Sequence, residues 1–276
     1  TELRSLKNSG SDASGALTEC LANVKGGSLE LEPGFYSLEK SLKISVDGVT
    51  LSTKGRAPES APCDAQLGVL CAVFVPAPGL SLGKGKGDAQ GMVSIEGNNV
   101  TLHHLEFDGM NGLAGKQRGA MLAVSGARGA KLSRLELRNW SGDSALMVSK
   151  AENVSVELSR FKDNGSEKSL TSHIEVKGGR GVTVSGNLLQ DSSKFAVSVS
   201  GCSDCKVKEN VVWQTGSPKA SALVGVRAVG TSVQVSKNYV DCSVFGCTSA
   251  YFFGKNGDPA ASGGDAAKGS VEARNN

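Results

Sequence analysis

The feature of this sequence that most restricts its fold is a repeat of about two dozen residues. Six segments share one pattern of strand, turn and strand: NVTLHHLEFDG, GAKLSRLELRN, NVSVELSRFKD, GVTVSGNLLQD, CKVKENVVWQT and SVQVSKNYVDC. Their matched apolar residues, 23 to 30 positions apart, are Leu102, Leu132, Val156, Val184, Val207 and Val235. Five positions after each of these comes a second apolar residue. Units this short cannot bury an apolar face alone and must stack on their neighbours, so the repeat predicts a solenoid.

Each repeat also contains a strand ahead of the matched segment. These strands are GMVSIEG, AMLAVSG, ALMVSK, SHIEVKG, FAVSVSG and ALVGVRAVG. A coil of strand, turn, strand, turn and strand would place each strand in register on the strand of the preceding coil. The sequence therefore predicts an all-β protein with a single-stranded parallel β-helix.

Three asparagines occupy the same position in the last three coils. Asn187, Asn210 and Asn238 each lie three residues after the matched apolar residue. Stacked asparagines can hydrogen-bond up and down a solenoid, as amide ladders do. Alternatively, each asparagine suits the backbone of its own turn. The shared register favours the ladder.

The two ends of the chain differ from the repeats. The stretch SDASGALTECLANVKGG has Ala16, Leu17, Cys20 and Leu21 at helical spacing. A short amphipathic helix here would cover the open first coil and protect its strand edges. We therefore predict an N-terminal segment with a capping helix (1–27), a β-helix (28–255) and a Gly/Ala-rich C-terminal tail or cap (256–276).

Charge and hydropathy argue against two classes of partner. The chain has 30 Lys+Arg against 27 Asp+Glu, a formal net charge of +3. That bias is too weak to indicate a nucleic acid partner. No run approaches the roughly 20 apolar residues that span a bilayer, so no membrane span is predicted. Nothing at the N-terminus resembles a signal peptide, so such a segment has been removed or was never there.

Six of the seven cysteines form close pairs in the sequence. The pairs are Cys63 with Cys71, Cys202 with Cys205, and Cys242 with Cys247. Local disulfides would indicate a secreted, extracytoplasmic protein. Cys202 and Cys205 have CxxC spacing, but no second ligand pair completes a metal site, so none is predicted. These two could also be small apolar residues at a turn.

The opening of the chain resembles a known superfamily. GSDASGALTECLANVKGGSLELEPGFYSLEKSLKI is similar to the start of pectate-lyase-like proteins, where a helix precedes a GG-strand-PG-x-Y turn. The matching residues are Gly26, Gly27, Pro33, Gly34 and Tyr36. The resemblance implies a right-handed parallel β-helix. It leaves the activity open, because this fold serves lyases, hydrolases, epimerases, phage tailspikes and adhesins.

One strand carries three ionisable side chains that are predicted to share a face. In SHIEVKG, His173, Glu175 and Lys177 alternate with Ile174 and Val176. The corresponding positions of the neighbouring coils are small or apolar, so these three residues would form the floor of a groove. We predict them as catalytic residues. The alternative is a solvated strand face, on which Glu175 and Lys177 form a surface ion pair of little energetic worth.

Further basic residues are predicted to surround this strand. The loops that enter the strands of this face lie on one edge of the solenoid and would overhang it. Substrate-binding roles are predicted for Arg118, Lys168, Lys194 and Arg227. A cleft framed by basic side chains suits an acidic polysaccharide. Each of these residues could instead be an ordinary solvated charge.

The motifs of the chain distinguish between two kinds of carbohydrate enzyme. The polygalacturonase pattern of paired aspartates and Gly-His-Gly is absent, which disfavours that hydrolase class. HIEVKG is similar to a strand of chondroitinase B and related alginate lyases, and the resemblance makes Lys177 the base. Ser200 and Gly201 stand where that group has Arg-His. The resemblance implies β-elimination of a uronic-acid polymer, with Ca²⁺ as a possible cofactor. The alternative is a non-catalytic polysaccharide-binding or adhesin-type surface protein.

Overall fold

The computed structural model describes residues 12–63, 70–80, 82, 90–110, 119–165, 169–215, 224–229, 232–241, 249–254 and 272–274. Within these ranges the chain forms one helix, α1 (Ser14–Val24), followed by strands that pair in parallel in three sheets. The strands are numbered in chain order, and successive strands pass from sheet to sheet.

Sheets A and B carry the two matched apolar columns of the repeat. Over the described residues, sheet A has nine strands: β1 (Ser28–Leu31), β4 (Thr50–Thr53), β7 (Thr101–His103), β10 (Lys131–Ser133), β13 (Ser155–Glu157), β16 (Thr183–Ser185), β19 (Cys205–Lys208), β22 (Val233–Ser236) and β25 (Glu272–Arg274). Over the same ranges, sheet B has eight: β2 (Gly34–Leu38), β5 (Ala72–Pro76), β8 (Leu105–Asp108), β11 (Glu136–Arg138), β14 (Arg160–Asn164), β17 (Leu188–Ser192), β20 (Val211–Trp213) and β23 (Tyr239–Asp241).

Sheet C contains the strands that precede the matched segments. In the described part of the chain it has eight strands: β3 (Leu42–Ile44), β6 (Gly91–Ile95), β9 (Ala120–Ser125), β12 (Ser144–Ser149), β15 (Ser172–Lys177), β18 (Phe195–Ser200), β21 (Val224–Val229) and β24 (Ser249–Gly254). Each strand pairs with the corresponding strand of the next coil, so all three sheets run along the same axis.

The register predicted from the repeat is confirmed. One column of sheet A consists of Leu102, Leu132, Val156, Val184, Val207 and Val235. One column of sheet B consists of Phe107, Leu137, Phe161, Leu189, Val212 and Val240. Both columns pack into the core, where sheet C contributes side chains such as Leu146, Ile174 and Val197. Burial of these columns drives the stacking of the coils.

The asparagine ladder is also confirmed. Asn187 Nδ2 donates to Asn210 Oδ1, and Asn210 Nδ2 donates to Asn238 Oδ1, each over 2.9 Å. The same two oxygens accept the backbone N–H groups of Asn187 and Asn210. All three side chains are buried. The ladder therefore satisfies buried backbone groups at the corner between sheets A and B.

The capping helix lies where the sequence predicts it. Leu17 and Leu21 are buried in the core, and Cys20 packs against it while half-buried. Asp12 accepts hydrogen bonds from the N–H groups of Ser14 and Glu39, which fastens the start of the helix to the first coil. The predicted parallel β-helix with an N-terminal capping helix is confirmed.

One short strand near the C-terminus belongs to a sheet of the solenoid. β25 pairs with β22 in sheet A, so this short piece of the predicted tail adds a strand to a sheet. The division of the chain into units at 27 and 255 stays a prediction.

Two of the three predicted cysteine pairs are disulfides. Cys63 is bonded to Cys71, and Cys202 is bonded to Cys205. Cys242 and Cys247 lie outside the described residues. Among the residues that the structure describes, no helix has the length and apolarity needed to cross a membrane.

Candidate functional site

The outer face of sheet C brings together residues from three neighbouring strands. Glu175 on β15 is in register with Ser198 on β18, and Ser198 is in register with Arg227 on β21. Lys177 lies beside Ser200 in the adjacent outward row. Because parallel strands are about 4.8 Å apart, Glu175, Ser198 and Arg227 form one outward row that crosses three strands. We call Glu175, Lys177, Lys194, Phe195, Ser198 and Arg227 the sheet C site.

Glu175 and Lys177 form an ion pair on this face. Lys177 Nζ is 3.2 Å from Glu175 Oε1. The Lys177 side chain is 52% exposed, whereas that of Glu175 is 11% exposed. The ammonium group therefore faces the solvent with a carboxylate buried beneath it. This geometry supports the prediction that both residues belong to one face.

Two further predicted residues, Lys194 and Arg227, meet at Phe195. Lys194 Nζ lies 5.3 Å from the centre of the Phe195 ring, and the guanidinium carbon of Arg227 lies 5.5 Å from it. Arg227 also donates a hydrogen bond from Nη1 to Ser198 Oγ over 3.2 Å. Contacts between cations and an aromatic ring hold both basic groups close to the sheet. This face of sheet C thus carries the Lys177–Glu175 pair and, at Phe195, two further cationic groups.

His173 does not lie on this face, and its predicted placement beside Glu175 and Lys177 is wrong. The side chain is fully buried at the corner between sheets B and C. Its Nε2 donates to the backbone oxygen of Gln190 over 2.9 Å, which leaves Nδ1 to accept from Asn164 Nδ2 over 3.0 Å. Burial lowers the pKa of His173 to about 4. This histidine is therefore neutral and buried, and it ties two coils together instead of facing a substrate.

The burial of His173 is indicated by the residues at the same position of other coils. The equivalent residues of four other coils are apolar: Met92, Met121, Ala145 and Ala196. All four are buried and belong to the core. The strict alternation of a strand fails where the chain enters sheet C, because the corner residue is covered by both sheets. A polar residue in an otherwise apolar column indicates a buried hydrogen-bonding role.

Two predicted binding residues, Arg118 and Lys168, lie outside the described residues. Their position relative to the sheet C site stays a prediction. In the described ranges no group of three His, Cys, Asp or Glu side chains is arranged to hold a metal ion, and Ca²⁺ as a cofactor stays a prediction.

Sequence reasoning missed an ionic cluster on the outer face of sheet B. Arg138 Nη2 contacts Glu106 Oε1 at 2.5 Å and Asp108 Oδ2 at 3.0 Å. Burial alone would lower the pKa of Arg138, but the neighbouring carboxylates of Glu106, Asp108 and Glu136 raise it. Asp108 also accepts from Asn139 Nδ2. A possible signal is the EFD and ELR triplets, whose outward residues lie in one register on two successive coils.

The same architecture occurs in several solved structures. A DFA-IIIase from Arthrobacter chlorophenolicus, solved in complex with DFA-III, matches 85% of this chain and 60% of its own, with 16% identity and a TM-score of 0.60. The enzymatically active domain of tailspike protein 2 from bacteriophage CBA120 matches 90% of this chain and 36% of its own, with 11% identity and a TM-score of 0.60. The gp42 tailspike of Acinetobacter phage vb_AbaP_AS12 matches 91% of this chain and 44% of its own, with 10% identity and a TM-score of 0.59.

These similarities concern the fold, because the identities are low and the chain spans only about a third to three fifths of each protein. No curated protein sequence matches the chain. A family model described as "Right handed beta helix region" matches residues 91–267, which is more than half of the chain. The parallel coils and the capping helix agree with that match. The chain therefore belongs to the right-handed β-helix family.

Proposed function

We propose that this protein binds an acidic polysaccharide on the sheet C site and cleaves it by β-elimination. The observation that carries this proposal is the exposed ammonium of Lys177, which lies over a nearly buried carboxylate. The same sheet face carries two further cations, Lys194 and Arg227, at Phe195. Cations placed beside a sugar carboxylate neutralise it and stabilise the charge that develops when the neighbouring carbon loses its proton.

In the proposed reaction, Lys177 acts as the base and Glu175 orients it. Glu175 Oε1 lies 3.2 Å from Nζ and holds the side chain on the outer face, and the reactive form is the neutral amine that has released its proton to the solvent. The amine removes the proton from the carbon next to the sugar carboxylate. The freed electron pair forms a carbon–carbon double bond as the glycosidic bond breaks. The departing glycosidic oxygen takes the proton from Lys177, which returns the amine to its neutral form.

The comparisons support a catalytic role for this fold. One similar structure is an enzyme solved with DFA-III, and another is an enzymatically active tailspike domain. The disulfide between Cys63 and Cys71 supports secretion of the protein, because disulfides persist in oxidising compartments.

Replacing Lys177 tests the proposal. Pectate, alginate and glycosaminoglycans would be screened for the near-ultraviolet absorbance of an unsaturated product. With the polymer that responds, Lys177→Ala should lower turnover by about 100-fold or more, because the base is lost. Lys177→Arg should keep binding yet lose turnover, because a guanidinium group does not give up its proton. Thermal stability should stay nearly unchanged in Lys177→Arg, which keeps a cation beside Glu175. Lys177→Ala leaves the nearly buried Glu175 carboxylate without that cation and should cost about 1–3 kcal/mol.

Val176→Ala is the matched control on the same strand. Val176 is fully buried, so its truncation should cost about 0.5–3 kcal/mol of stability while the chemistry at the outer face persists. If Lys177→Ala leaves product formation intact, Lys177 is not the base. If no polymer of the panel yields an unsaturated product, the elimination reaction is refuted.

A second candidate function is non-catalytic binding of the same class of polymer. The ion pair with Glu175 favours it, because a paired ammonium is well placed to bind a carboxylate without reacting. Glycan binding that depends on Lys177 and Arg227 without product release would support this function over the first.

A further inference from the structure

A second surface of the solenoid exposes aromatic and aliphatic side chains side by side. Val211 and Trp213 on β20 and Tyr239 on β23 are 41%, 44% and 62% exposed. Val211 is in register with Tyr239, and Trp213 is in the adjacent outward row of sheet B. We call these three residues the aromatic platform. The neighbouring residues in the chain, Val212 and Val240, pack inward, so all three side chains project from the outer face.

Polar groups border this platform on the same sheet. Gln190 precedes Trp213 in its row, and Asp241 follows it. A flat apolar surface edged by an amide and a carboxylate has the chemistry that recognises a sugar ring. Aromatic rings pack against the C–H groups of a sugar face, while amide and carboxylate groups hydrogen-bond to its hydroxyls.

The platform is continuous with the sheet C site around one corner of the solenoid. β17 ends at Ser192, and β18 begins at Phe195, against which Lys194 packs. The corner is held by buried His173, which donates to the backbone oxygen of Gln190. On the next coil, the backbone N–H of Thr215 donates to Asp191 Oδ1 over 2.7 Å. A ligand that leaves Lys194 and passes this corner arrives beside Gln190 and Trp213.

We propose that the aromatic platform binds the sugar chain itself, by stacking against rings that extend beyond the sheet C site. This inference rests on the proposed function and adds to it a subsite that recognises sugar faces and not charge. Its contribution to binding is therefore insensitive to salt. The contribution of Lys177, Lys194 and Arg227 weakens as salt screens their charges.

Tryptophan fluorescence can observe this platform selectively. The sequence contains two tryptophans, and the other one, Trp140, is 1% exposed. Ligand-dependent changes in quenching therefore report on Trp213. The probes are hexamers of galacturonate and mannuronate, a chondroitin hexasaccharide, and the neutral glucose hexamer cellohexaose. Each is titrated at low and high salt.

We expect at least one acidic hexamer to protect Trp213 from a soluble quencher. Trp213→Ala and Tyr239→Ala should each weaken binding of that hexamer about tenfold, equivalent to about 1.4 kcal/mol. The matched control is Phe35→Ala, which removes an aromatic ring 61% exposed at the far end of the same sheet. It should leave binding unchanged. The melting temperature should stay constant in all three variants, because the side chains are outside the core.

The outcomes separate the platform from the proposed function. Protection of Trp213 by cellohexaose without binding of any acidic hexamer would support the platform and refute the acidic substrate. Binding of an acidic hexamer that Trp213→Ala leaves unchanged would refute the platform alone. If sedimentation shows that Trp213→Ala turns a dimer into a monomer, the platform is an interface between two copies, and the sugar-binding proposal is overturned.

Discussion

At the scale of single residues, His173 and Lys177 show how one strand carries two different roles. They are four positions apart on β15, yet His173 is fully buried and Lys177 is exposed. Lys177 takes part in the proposed chemistry. His173 joins Asn164 of one coil to Gln190 of the next through a neutral imidazole. Protonation at Nδ1 would replace the acceptor of the Asn164 Nδ2 hydrogen bond with a second donor. It would also place a positive charge on a buried ring.

This arrangement makes stability depend on pH. The pKa of His173 is lowered to about 4 in the folded protein, mainly by burial, against about 6.5 in an unfolded chain. Between these values the unfolded state binds more protons than the folded state, so stability falls as the pH is lowered. The loss is roughly 3 kcal/mol when the pH has fallen to about 4, and it is complete only below that pH. Denaturant titrations at pH 7, 5.5 and 4 would measure it.

The matched variant is His173→Gln, whose amide can donate to Gln190 and accept from Asn164 without titrating. Its stability should fall less steeply between pH 6.5 and 4 than that of the unchanged protein. Some slope should remain, because burial also lowers the pKa of His103 and of His104. Equal slopes in the two proteins would show that His173 does not carry the effect.

The sequence predicted part of the sheet C site because alternation along a strand is a local pattern. Glu175 and Lys177 were placed together on that basis, and the structure agrees. His173 could not be placed by alternation, because the corner of the coil overrides it. The contact of Arg227 with Phe195 depends on side-chain conformations across neighbouring coils, which no local pattern reports.

At the scale of the element, the turn between sheets A and B depends on its asparagines. The side-chain oxygen of Asn210 accepts from both the backbone and the amide of Asn187, and its own amide donates to Val184 and Asn238. The sequence predicted this ladder because identical residues in identical register report a contact between coils.

Removing the middle rung should be costly. Asn210→Ala leaves the buried N–H groups of Asn187 without their acceptor, and each unsatisfied buried group costs about 1–3 kcal/mol. We therefore expect a loss of about 3 kcal/mol in the free energy of unfolding, measured by urea denaturation. Lys208→Ala, an outward residue just before the same turn, is the control and should change stability by less than about 0.5 kcal/mol. Similar losses in both variants would contradict a ladder that stabilises the fold.

At the scale of the whole molecule, each coil contacts mainly the coils beside it. Stability is then approximately a sum over coils and their interfaces. Ala120 is in register with Ser144, so deletion of residues 120–143 would remove one complete coil and join equivalent positions. In the shortened protein β8 would pair directly with β14. Glu106 would then lie beside Arg160 and Asp108 beside Lys162, so each carboxylate gains a neighbour of opposite charge.

We expect the deletion variant to fold cooperatively, with a strand-dominated circular dichroism spectrum. Lys177 and Glu175 should keep their ion pair, since both lie on β15, and β12, the strand on which β15 stacks, is retained. Binding of the acidic hexamer should therefore persist. A control deletion of residues 120–137 shifts the register and should prevent folding. Loss of folding in both variants would contradict the additivity of coils.

Because the strands stack uniformly, each coil adds the same distance along the axis of the solenoid. Four strand steps separate β3, beneath the capping helix, from β15, which carries Lys177, and at about 4.8 Å each they amount to about 19 Å. Inserting or deleting a coil changes that span by one step and leaves the residues around Lys177 unaltered. The solenoid thus acts as a ruler whose divisions are close to the size of one sugar unit. The reach of its binding surface can be lengthened or shortened in whole divisions without rebuilding the chemistry.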